Sequence, residues 1–200
     1  SATDARWNGI SITGEMSADL QDFQIENAEI GLAIENGAAD IRNVSIDNSL
    51  ENAIFTKNAA ISIENASLTN SKGVGLRISS GTDIDVLQAS FEKNRIGVVA
   101  EGNADIALRE TSLKDNEIGV LDLGAKLNMV KSDIQKNKIG FVSENIPTDD
   151  IKNSVTQNQE NFSSDAENLK NTLANAPENP NAQQFSYSIY SGFDNTKKEK

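Results

Sequence analysis

The sequence predicts an all-β parallel solenoid, a parallel β-helix of about seven to eight coils of ~22 residues each, and three observations predict it. Glycine, or alanine once, recurs at Gly9, Gly31, Ala53, Gly75, Gly97, Gly119 and Gly140, with spacings of 22, 22, 22, 22, 22 and 21 residues. Asparagine keeps step a few positions earlier, at Asn27, Asn48, Asn70, Asn94, Asn116, Asn137 and Asn158. Between these markers apolar residues alternate with polar ones at period two, the spacing of a strand and not of a helix.

Each coil reads as three short strands separated by bends. One set runs "IGLAI", "NAIFT", "VGLRI", "IGVVA", "IGVLD" and "IGFVS". Alternation in this set turns Ile30, Leu32 and Ile34 inward, and in the fourth coil Ile96 and Val98. A second set runs "ADL", "ADI", "ISI", "IDV", "IAL" and "LNM", and a third "FQI", "VSI", "ASL", "ASF", "TSL" and "SDI". Three short strands cannot bury their apolar faces alone, whereas stacked coils share one continuous core. Asparagine suits the bends because it tolerates the left-handed backbone conformation, and its amide bonds to copies above and below. The glycine after it permits close approach of neighbouring coils. Gly14, Gly37, Asn58, Gly81, Gly102 and Gly124 mark a further bend after the third strand.

The "N-x-I-G-[VLF]" motifs, the asparagine ladder and the opening "WNGISI" at 7–12 resemble the right-handed parallel β-helix superfamily that includes pectate lyases, over residues 7–162. "WNGISI" is similar to first-coil segments of bacterial β-helix repeat proteins. The resemblance implies an inward-stacking asparagine in the bend between the second and third sheets. That role falls on Asn27, Asn48, Asn70, Asn94, Asn116, Asn137 and Asn158. It also implies service outside the cytoplasm, in an extracellular, cell-surface or periplasmic setting, and the strand exposed at "WNGI" without an amphipathic cap before it leads to the expectation of a larger parent protein.

The composition shifts near Gly140. Twelve of the 13 glycines lie at or before it and all three prolines lie after it. The solenoid is therefore placed at 1–162. "SSDAENLKNTLANAP" follows as a helix over 163–176, with Ser164 and Glu167 at capping-box spacing and Pro177 as its stop. Such a helix shields the open strand edges at the end of the rod. Residues 177–200 make a linker, a short strand carrying Phe185, Tyr187 and Ile189, and a disordered tail.

The chain has 200 residues, no cysteine and no histidine. Disulfides, thiolate nucleophiles and histidine-dependent metal or triad chemistry are excluded, and catalysis would rest on carboxylates, Lys, Arg, Ser or Tyr. A net charge of −12 repels phosphate backbones and anionic membranes, so nucleic acid is not an expected partner. No apolar run approaches the roughly 18 residues that cross a bilayer as a helix.

Three outward columns are candidates for function. On the first set of strands, Ala33, Phe55, Arg77, Val99, Leu121 and Val142 form an unusually apolar stripe. A contiguous stripe of this kind marks a covered or contacting surface, and the expected cover is the C-terminal segment with Phe185 and Tyr187. The alternative occupant is another chain or a glycan, with Phe55, Arg77, Val99, Leu121 and Val142 as the binding residues. On the third set, Ser45, Ser67, Ser90 and Ser112 align between Gln24 and Asp133. This hydroxyl array fits either an ordinary polar exterior or recognition of ice or a crystalline polymer.

The remaining sheet bears the substrate groove in polysaccharide lyases and hydrolases of the superfamily. Here it presents Asp19, Asp40, Asp83, Asp85 and Asp105 with Arg42 and Arg109 nearby. Under an enzymatic alternative, Asp83, Asp85, Asp105 and Arg109 would serve acid–base chemistry, or calcium, on an acidic glycan. The coils run at 21–24 residues, without the long inserted loops from which such clefts are built. The preferred reading is therefore a non-catalytic structural or interaction module contacting carbohydrate or a protein, with no cofactor and no resident metal.

Overall fold

The structure, a computed structural model, describes residues 6–80, 83–145, 148, 151, 154–166 and 169. Its first three coils contribute β1 (Ile10–Thr13), β2 (Ser17–Glu26), β3 (Leu32–Glu35), β4 (Ala38–Asp47), β5 (Asn52–Lys57) and β6 (Ala60–Thr69). Next come β7 (Val74–Ser79), β8 (Asp83–Leu87), β9 (Ser90–Glu92), β10 (Ile96–Glu101), β11 (Asp105–Arg109) and β12 (Ser112–Lys114). The last are β13 (Ile118–Leu123), β14 (Lys126–Val130), β15 (Asp133–Gln135), β16 (Ile139–Ser143) and β17 (Glu160–Ser163).

All strand pairs are parallel and join equivalent positions of successive coils, as Ile96 with Ile118 and Val98 with Val120. One sheet holds eight strands in the order β1-β3-β5-β7-β10-β13-β16-β17. Seven inter-strand steps of about 4.8 Å make a rod of roughly 34 Å. The other sheet is bent. In the first three coils the second and third strands of the sequence pattern fuse into the ten-residue β2, β4 and β6, whose pairing skips a single bend position. β6 then pairs with β8 through its first half and with β9 through its second, and the two arms separate from there on.

Three columns of left-handed backbone pin the corners. Gly14, Asn36, Asn58, Ser80, Gly102 and Gly124 form one, and Asp22, Asn43, Asn65, Gln88, Glu110 and Lys131 the second. Asn27, Asn48, Asn70, Lys93, Asp115, Lys136 and Gln157 form the third, at φ of 55–57°. The first column corrects one expected bend: Asn36 holds the left-handed position instead of Gly37, which follows it; Ser80 holds the equivalent position two coils on, and Gly81 lies outside the described residues.

The third column corrects the asparagine ladder, which is two ladders. Asn27, Asn48 and Asn70 are corner residues, with Asn27 and Asn70 exposed and Asn48 half-buried; Asn48 Nδ2 donates to Asn27 Oδ1 and Asn70 Nδ2 to Asp47 Oδ1. From the fourth coil on, the asparagine sits one position later and points inward. The inward column reads Ala28, Ser49, Ser71, Asn94, Asn116, Asn137 and Asn158. Asn116 is representative: its Oδ1 accepts the Asn94 amide at 2.9 Å, and its Nδ2 donates to Phe91 O and Asn137 Oδ1, both at 3.0 Å. A backbone N–H and C=O that the bend would orphan in the core are thereby satisfied. Where serine replaces asparagine, Ser49 and Ser71 keep buried hydroxyls with no partner among the described residues.

The glycine of the motif faces this ladder. A Cβ on Gly97 would stand 2.6 Å from Gly119 O, 3.1 Å from Leu113 Cδ2 and 3.3 Å from Asn116 Nδ2. Because Gly97 and Val98 both face inward, alternation breaks between them, and the isoleucine before the glycine turns outward. The main core includes Leu32, Ile34, Leu76, Val98 and Val120 but neither Ile30 nor Ile96. Ile96 belongs to a separate cluster on the outer face of the eight-stranded sheet, which corrects the inward orientation expected for that column.

Candidate binding groove

The outer cluster decides the fate of the apolar stripe. Val99, Leu121 and Val142 are fully buried, together with Val74, Ile96 and Ile118, and Ala166 and Leu169 pack against them. The chain after β17 thus returns across the outer face of the last coils, one helical bond joining the Leu169 amide to Asp165 O at 3.3 Å. The rest of the expected helix over 163–176 lies largely outside the described residues, and Phe185 and Tyr187 lie wholly outside them.

The stripe as an open surface is therefore corrected to its N-terminal part, Ala33, Phe55 and Arg77, each half-buried. There Arg77 pairs with Glu101 at 2.8 Å. Beside it, burial and the neighbouring Glu29 carboxylate push the Glu51 carboxyl above the usual range, while Arg77 opposes the shift.

The acidic face is composed of cross-coil ion pairs. Arg42 meets Asp19 at 2.6 Å, Arg109 binds Asp85, and Lys126 binds Asp105. The hydrogen bond to Asp105, the charge of that group and that of Asp83 hold the Lys126 ammonium above its ordinary value. Asp83 and Asp105 are register neighbours, as are Asp85 and Ala107, so these carboxylates stack along the rod. Among the described residues no group of three or more Asp and Glu is placed to hold a metal ion.

An open concave surface lies elsewhere, at the bend of the second sheet. A groove of about 830 Å³ runs along the rod there across five coils. One rim is the second corner column, Asp22, Asn43, Asn65, Gln88 and Glu110; the other is Gln24, Ser45, Ser67 and Ser90. Phe23, Val44, Ala66 and Ala89 line it between the rims. The corner residues form because each coil turns there with φ of 51–58°, and the serines align because the strands pair in register, Ser45 with Ser67 and Ser67 with Ser90.

The corner side chains bond along the rod. Asn43 Nδ2 donates to Asp22 Oδ1 at 2.9 Å, Asn65 Nδ2 to Asn43 Oδ1 at 2.8 Å, and Gln88 Nε2 to Glu110 Oε2 at 3.0 Å. The sequence reading had the serine column but not the opposite rim. Its signal was an Asp/Asn/Asn/Gln/Glu recurrence at 21, 22, 23 and 22 residues, hidden among the many other asparagines.

Comparison with known proteins adds the family and little more. Among curated proteins nothing matches the chain. Among solved structures, a trypsin-treated form of QnrB1, a plasmid-mediated fluoroquinolone resistance protein, aligns with 83% of this chain and 98% of its own at 16% identity. Its TM-score of 0.23 carries no structural or functional argument. Residues 8–168 match the family model described as "Right handed beta helix region". With four-fifths of its length covered by that match and every strand pair parallel from coil to coil, the chain belongs to the right-handed β-helix family.

Proposed function

We propose that this β-helix repeat module is non-catalytic, works outside the cytoplasm as part of a larger surface or secreted protein, and contacts carbohydrate along the groove at the second corner. The observation that carries the proposal is the groove itself: an open trough whose two rims are polar in every coil they cross. A polymer with a short repeat meets a polar group on either side at each step. An enzyme cleft, in contrast, is a single place at which unlike groups converge. The ion pairs that occupy Asp85 and Asp105 also favour a static surface over a reacting one.

Screening the protein against an immobilised glycan array, with cell fractionation to locate it, tests both halves. Glycan binding and recovery outside the cytoplasm are expected. Absence of any glycan ligand removes the carbohydrate reading. Release of sugar ends that disappears in Asp83→Ala or Asp105→Ala would replace it with a polysaccharide lyase or hydrolase.

A further inference from the structure

We infer that the groove takes an extended, uncharged polymer of β-linked pyranose units, about one unit per coil, and rejects polyanions; this rests on the carbohydrate reading above. Coils follow one another at about 4.8 Å, close to the length of one such unit along an extended chain. The groove is lined on its outward positions by polar, hydrogen-bonding side chains. Between the rims the floor is formed by the strand segments of Val44, Ala66 and Ala89, whose side chains turn into the core and leave the floor narrow. The two rims bring hydrogen-bonding groups to both sides of whatever chain lies between them.

The rims retain unused hydrogen-bonding capacity. Asn43 and Asn65 each spend one N–H on the ladder and keep the other. The Ser45 and Ser67 hydroxyls make no hydrogen bond among the described residues, whereas the Ser90 hydroxyl donates to Glu92. The ladder is interrupted between Asn65 and Gln88: Asn65 donates toward the N-terminal end and Gln88 toward the C-terminal end. Asn65 Oδ1 and Gln88 Oε1 therefore accept nothing there. Two free acceptors at the middle of a groove suit a ligand that donates there, as a sugar hydroxyl does.

Charge acts in the same direction. Asp22 and Glu110 stand at the two ends, no lysine or arginine lines the groove, and the chain carries −12. A uronate or phosphate polymer meets repulsion without a compensating cation.

The test is calorimetric titration of the whole protein with cello-, xylo- and mannohexaose, with hexagalacturonate, and with a chitosan hexamer. At least one neutral hexaose is expected to bind, with affinity rising from the trimer and levelling off near five units. Ser67→Trp, at a half-exposed outward position, fills the groove and is expected to abolish binding with an unchanged circular dichroism spectrum. Asn65→Asp is expected to weaken it at least threefold. Preference for hexagalacturonate or chitosan, or neutral binding untouched by Ser67→Trp, overturns this inference and leaves the carbohydrate reading in place. If no oligosaccharide of any charge binds the folded protein, the carbohydrate reading itself falls, and this inference with it.

Discussion

Replacing Asn116 by alanine isolates the inward ladder. Asn116 is 3% exposed and its amide makes three hydrogen bonds at 2.9–3.0 Å, to Asn94 N, Phe91 O and Asn137 Oδ1. Alanine leaves a buried N–H and a buried C=O without partners, at about 1–3 kcal/mol each. The vacated space adds a smaller cavity cost. A total loss of about 3–5 kcal/mol is a large share of the stability of a single domain.

The control is Asn70→Gly. Asn70 is exposed at φ 55°, its amide bonds only to Asp47, and glycine keeps the left-handed conformation, so a loss under about 1 kcal/mol is expected. Urea denaturation followed by circular dichroism and by intrinsic Trp7 fluorescence measures both, and agreement of the two probes establishes whether the solenoid unfolds as one unit. If the two substitutions cost the same within 0.5 kcal/mol, the distinction between corner and interior asparagines is refuted.

Three further outcomes follow from the same packing. Gly119→Ala places a Cβ 2.5 Å from both Gly140 O and Ile134 Cγ2, and is expected to lower the melting temperature by more than Gly102→Ala, whose Cβ meets its nearest neighbour at 3.8 Å and whose cost is confined to the left-handed backbone at φ 69°; a thermal scan compares them. Ending the chain after Ser163 uncovers Val99, Leu121 and Val142, so binding of a hydrophobic dye should rise, and unchanged dye fluorescence would show that Ala166 and Leu169 are not their cover. Glu51 is raised in the folded state by burial and by Glu29, so the native protein holds its proton more tightly than the unfolded chain and loses stability as pH rises through that carboxyl's range. Glu51→Gln should therefore raise the melting temperature at pH 7 relative to wild type and have progressively less effect below pH ~4.

The period, the parallel stacking and the strand content were legible because each is a property of spacing. The side on which particular residues lie was less so. Asn70 and Asn94 are chemically alike and 24 residues apart, where the glycine marker steps 22 between Gly75 and Gly97. That surplus is the trace of the slip from corner to interior, but asparagine suits both places for different reasons, one a backbone preference and the other an amide that bonds in two directions. Strict alternation likewise misplaced Ile96. A glycine has no side chain to reveal that it occupies an inward position, so the doubled inward pair Gly97–Val98 reads in sequence as a normal strand. The groove was half visible because its serine rim is compositionally distinct, while the rim of Asp, Asn, Gln and Glu shares only a backbone angle.

The shared backbone angle also makes the rod a ruler. Each corner column repeats with every coil whatever side chain it carries, Asn, Ser, Lys, Gln or Glu, and each coil meets its neighbours in one register. Length is then counted in whole coils: a gain or loss of one ~22-residue unit moves everything beyond it by about 4.8 Å along the axis and changes the groove by one rung, without repacking the coils that remain. Such a chain can tune its reach by duplication alone.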